Sequence, residues 1–140
     1  MAVHGIVRAT GDIDILYRQS TANIGRLCMA MRDFGAPDSL IDATFMHTRD
    51  AIVQIGLPPA RIDLLASISG VTFDEAWTGA IHIDLEQRGL RVLGLRDLLT
   101  NKRASNRPKD LDDVRRLEAL VRASATAPLR PQKPFRRRKS

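Results

Sequence analysis

Apolar and polar positions along the 140-residue chain change period several times, and each change marks a boundary between elements. Residues 13–17 form a short apolar, β-prone run interrupted by Asp14, with Gly11 just ahead of it. Ser20 or Thr21 can cap the helix that follows, where Ile24, Leu27, Cys28, Met31 and Phe34 recur at helical spacing on one face. Gly35, with Pro37 two residues on, stops it. A second, poorly periodic helical stretch is predicted over 39–46. Two apolar runs then lie either side of Pro58-Pro59: 51–57 around Gln54, and 61–67 around Asp63. Residues 73–78 are predicted as a short helix that buries Phe73, Ala76 and Trp77. From Ile81 to Leu85 the pattern alternates, Gln87-Arg88-Gly89 reads as a turn, and 90–95 pairs back. The end is helical over 96–104 and, after the break at Asn106-Arg107-Pro108, over 109–122, with Leu111, Val114, Leu117 and Val121 on one face. Links at 58–60 and 87–89 are too short for crossovers, so the pattern predicts an α/β (α+β) fold with a mixed sheet, flanking helices and two C-terminal helices.

Charge changes this picture only at one end. The formal net charge is +6, but six of the 22 Lys and Arg and none of the 16 Asp and Glu lie in residues 123–140. The body, residues 1–122, is therefore neutral and is expected to be one domain. The tail carries Arg130, Lys133, Arg136, Arg137, Arg138 and Lys139 among three prolines, and buries too little to offset the entropy of ordering it. It is expected to be disordered, with weak, salt-sensitive nucleic-acid contact as the partner its charge suits. A single cysteine excludes a disulfide framework and suits a reducing cytoplasm, and no apolar run is long enough to span a membrane.

The informative residues are acids inside apolar strands. Asp12 and Asp14 stand two apart on a strand and so point to the same face. Like charges that close repel one another unless a cation sits between them. Asp63, between Ile62 and Leu64, is a third carboxylate that a neighbouring strand could bring alongside; Asp84 ranks lower because its strand alternates. Three hard oxygen ligands on an open face suit Mg²⁺ or Mn²⁺, which leaves room for water and phosphate. Other chemistry is thin. His4, His47, His82 and Cys28 share no ligand spacing, and neither a nucleophile elbow nor a phosphate-binding Gly-rich Lys loop is present.

Arg8-Ala9-Thr10-Gly11-Asp12-Ile13-Asp14-Ile15 resembles the strand motif of minimal nucleotidyltransferases in the DNA polymerase β superfamily. Val53-Gln54-Ile55-Gly56, with the segment from Pro58-Pro59 to Leu65, resembles later strands of a bacterial subgroup. So do Phe73-Asp74-Glu75-Ala76-Trp77, Asn101-Lys102-Arg103-Ala104 and Arg107-Pro108-Lys109-Asp110-Leu111 with Asp113-Val114. The resemblance covers residues 2–118. It implies that Asp12 and Asp14 are paired metal ligands, that Asp63 is the third carboxylate and base for the acceptor hydroxyl, and that Lys102 and Lys109 steady a triphosphate. It further implies an NTP substrate, an acceptor that is a protein, a tRNA or a small molecule, and a helical partner protein of the toxin–antitoxin kind. The superfamily's glycine pair, which grips phosphate at a helix N-terminus, falls about ten residues before the aspartates, and Met1 to Gly5 resembles only the end of that helix. A start placed too far downstream is the expectation here, in preference to a genuine truncation. A degenerate, non-catalytic binding protein of the same fold is the alternative.

Overall fold

The computed structural model describes residues 12–126, so the expectations for the first eleven residues and for the tail beyond residue 126 lie outside the described residues. Strand β1 (Asp12–Leu16) leads to helix α1 (Thr21–Phe34), a 3₁₀ turn (Asp38–Leu40) and the one-turn helix α2 (Ala43–Met46). Strands β2 (Ile52–Ile55) and β3 (Arg61–Leu65), helix α3 (Phe73–Thr78), strands β4 (Ile81–Leu85) and β5 (Arg88–Val92), and helices α4 (Leu95–Ser105) and α5 (Pro108–Thr126) complete the chain.

The expected mixed α/β class holds, but the strands divide between two sheets. One has the order β1-β3-β2, with β3 parallel to β1 and antiparallel to β2; β4 and β5 form a separate antiparallel hairpin. In the first sheet Ile13, Ile15 and Tyr17 share a face with Ile62, Leu64 and Ala66 and with Val53 and Ile55. That face carries the core: Tyr17, Ile24, Cys28, Met31, Met46, Val53 and Leu64 are buried together, and the Tyr17 hydroxyl donates to the Met46 carbonyl at 2.9 Å. The other face carries Asp12, Asp14, Arg61, Asp63 and Gln54, followed along the strands by Leu16, Leu65 and Ile52.

Caps agree with the sequence where polar residues had been singled out. Ser20 accepts from the Asn23 backbone N–H, and Gly35, at φ 84°, takes the left-handed conformation that ends α1. Gly70 is needed for room as well as for its φ of 75°: a Cβ there would lie 2.7 Å from the Ala104 Cβ, where the loop after β3 meets α4. The Asn101 amide ties the same contact by donating to the Ser69 carbonyl at 3.0 Å.

Four expectations are corrected. Trp77 is 48% exposed rather than buried; its ring is covered only in part, by Phe73, on which it stacks, and by the Arg91 guanidinium above it. Phe34, the last residue of α1, is exposed too. The hairpin turn is Glu86-Gln87, both at positive φ as a two-residue hairpin turn requires, and Gly89 sits in β5 opposite Asp84. Helix α5 runs to Thr126, past the expected boundary at 122. Among the described residues no helix is long and apolar enough to cross a membrane.

Candidate metal centre

Parallel pairing of β1 with β3 sets Asp12 against Arg61 and Asp14 against Asp63, all on the face away from the core. A one-residue slip of either strand would send its carboxylates into the apolar layer, so the hydrophobic pattern fixes the face on which they stand. Ligand oxygens of Asp12, Asp14 and Asp63 lie within 4.8 Å of one another. Burial grades across the three: Asp63 is 7% exposed, Asp12 is intermediate and Asp14 is open.

The cation that such a cluster demands is partly supplied by the chain itself. Arg61 Nε donates to Asp63 Oδ1 at 2.7 Å, and its Nη2 donates to Asp63 Oδ2 at 2.9 Å and to Asp12 Oδ2 at 2.8 Å. Gln54 on β2 adds a longer donor to Asp63 at 3.4 Å. The hydrogen bond to Asp63, followed by the charges of Asp63 and Asp12, holds the guanidinium above its ordinary pKa. Asp14 accepts no hydrogen bond among the described residues. Loss of hydration raises its pKa first, the charges of Asp12 and Asp63 raise it further, and Arg61 and Arg107 pull only weakly the other way. The result is one carboxylate bonded side-on, one bonded singly and one open.

A second ionic cluster joins α4 to α5. Lys102 Nζ, 12% exposed, donates to Asp110 at 3.0 Å and to Asp113 at 2.8 Å. Asp110 also accepts from Ser105 Oγ and from Arg107 Nε, each at 2.7 Å. Burial of Asp110 favours its neutral form, but the Ser105 hydroxyl, Lys102 and Arg107 outweigh it and draw the pKa down to about 2. Lys109, by contrast, stands exposed on the first turn of α5.

Of the residues singled out from sequence, then, Asp12, Asp14 and Asp63 meet, whereas Lys102 is engaged in the helix junction. Asp84 lies in the separate hairpin, exposed, and His82 is exposed on the same strand. His47 caps the end of α2, while Cys28 is buried with its Sγ 3.9 Å from the Met46 sulfur, as a core residue should be; His4 lies outside the described residues. Arg61 is the residue that sequence reasoning missed. Its signal was present: two positions before Asp63 on the same strand puts it on the same face.

The donor set fits a divalent cation such as Mg²⁺ or Mn²⁺, being three hard oxygens converging from two strands with Asp14 open toward solvent. Comparison of the chain with protein-family models, with curated proteins and with solved structures finds no match.

Proposed function

We propose that this chain is a nucleotidyltransferase, moving a nucleoside monophosphate from an NTP to an acceptor hydroxyl. In that reaction the acceptor oxygen forms a bond to the α-phosphorus as the bond to the pyrophosphate oxygen breaks. Asp12, Asp14 and Asp63 would hold divalent metal, Mg²⁺ or Mn²⁺, which would supply positive charge to offset that developing on the phosphate. Asp63 is also the group assigned to take the hydroxyl proton. Lys109, which is exposed, is the lysine assigned to triphosphate, while Lys102 is engaged in the helix junction. The acceptor is a protein, a tRNA or a small molecule with a free hydroxyl, and the setting is cytoplasmic.

One observation carries this reading: three carboxylates from parallel, in-register strands converge within 4.8 Å on a face the core does not use. Resemblance of the motifs around them to the DNA polymerase β superfamily agrees with it. The test is label transfer from α-labelled ATP with Mg²⁺ in cell lysate, comparing the chain with Asp12→Ala/Asp14→Ala. Transfer by the chain and none by the double variant is expected; transfer that survives both substitutions would remove the assignment.

A second reading draws on Arg61, which already cross-links Asp12 and Asp63. In that reading the acids are satisfied internally and the chain works by binding, as a toxin–antitoxin component with a helical partner or through RNA contact by its basic tail. Absence of both metal binding and label transfer would favour it.

A further inference from the structure

Arg61 is held by the carboxylates that a metal ion would use. Two positions from Asp63 on β3 and in register with Asp12 on β1, it rises from the acid-bearing face and meets Asp63 through both Nε and Nη2. The same Nη2 reaches Asp12 at 2.8 Å, and the side chain is 25% exposed. A carboxylate oxygen aimed at a guanidinium is not free for a bond of about 2.1 Å to Mg²⁺, and a cation that close to the fork would be repelled by it.

We infer that Arg61 is a displaceable internal counter-cation: it holds Asp12 and Asp63 together, leaves them when a divalent ion enters, and then offers its fork to the phosphate arriving with that ion. This rests on the metal-site reading above. The planar guanidinium matches phosphate as well as it matches carboxylate, and a long, partly exposed side chain can turn between them without moving the strand. Arg61 thereby couples the two ligands. Metal alone competes with it, whereas metal with a triphosphate gives the guanidinium a new partner.

Mn²⁺ binding to the full chain, followed by the resonance signal of the free ion, tests this without any turnover. Arg61→Met is expected to bind Mn²⁺ at least about fivefold more tightly than wild type, with Arg61→Lys between the two because an ammonium replaces the fork with a single point of contact. A non-hydrolysable ATP analogue should improve Mn²⁺ affinity more in wild type than in Arg61→Met. Equal or weaker Mn²⁺ binding by Arg61→Met, with binding abolished by Asp14→Ala, overturns the role of Arg61 and leaves the metal site standing. Binding indifferent to Asp14→Ala overturns the metal site and this inference with it. Should Arg61→Met fail to fold, the wild-type Arg61 Nε–H signal in nuclear magnetic resonance decides: it should shift as Mg²⁺ is added, and a signal unmoved at saturating Mg²⁺ overturns the inference.

Discussion

The carboxylates of Asp12 and Asp63 share one guanidinium and that of Asp14 has no such partner among the described residues, whereas those of Asp110 and Asp113 are met by an ammonium, a guanidinium and a hydroxyl. In the helix junction positive and negative charges match in number and both acids are buried, Asp113 at 2% exposed. On the sheet face, among the described residues, three carboxylates have one guanidinium bonded among them, and Asp14, which is open, is the one left unbonded. Matched, buried charge makes a fastener between α4 and α5. Unmatched charge at an open face is a standing demand for another cation.

Substitutions break the comparison apart, beginning where the effect should be greatest. Lys102→Met removes the ammonium facing two buried carboxylates and is expected to cost about 3–5 kcal/mol, read as a lower midpoint in urea unfolding. Acid comes next. Asp110 is depressed to about 2 from an ordinary 3.8, so its ionised form stabilises the fold above the unfolded value. That contribution, about 2 kcal/mol at most, should fade as pH falls from about 4 to about 2. Unfolding free energy measured against pH checks this, and a curve flat across that window would contradict it. Ser105→Ala deletes one hydrogen bond to Asp110 and should cost about 1 kcal/mol in the same assay. The smallest effect on stability sharpens the contrast most. Asp14→Asn relieves repulsion in the sheet cluster, so stability should stay within about 0.5 kcal/mol of wild type or rise. Mn²⁺ binding should nevertheless be lost. An equal loss of stability from Lys102→Met and Asp14→Asn would show that the two clusters do the same job.

Local patterning made much of this legible. The cap at Ser20 and the stop at Gly35 are short-range signals, and the structure uses both; 81–85 is a strand as its alternation predicted, but Ile81 and Leu85 on its apolar face are exposed. Asp12 and Asp14 share a face because a strand has a period of two, so that pair could be read directly. Their meeting with Asp63 depends on a parallel register between distant strands, which periodicity suggests but does not fix. The split into two sheets was not legible: short links at 58–60 and 86–87 show only that neighbouring strands pair, never whether one pair joins another. Trp77 misled for a related reason. Helical spacing gives a residue's face, but not what packs against it, and the distant residue that meets Trp77 is Arg91 from β5 rather than an apolar core. Lys102 looked free because its two partners lie on the following helix.

β3 is the middle strand, and its two neighbours reach it at different entropic cost. β2 closes on it through residues 56–60 alone, whereas Asp12 and Arg61 are 49 positions apart in the chain. Loop-closure entropy and contact order both favour the hairpin forming first and β1 docking late. β1 is also lightly covered, with Ile13 63% and Ile15 43% exposed. A brief release of that strand would carry off two of the three carboxylates and leave the β2–β3 hairpin in place. The carboxylate cluster would therefore have a lifetime of its own, shorter than the fold's, and set by how long β1 stays docked on β3.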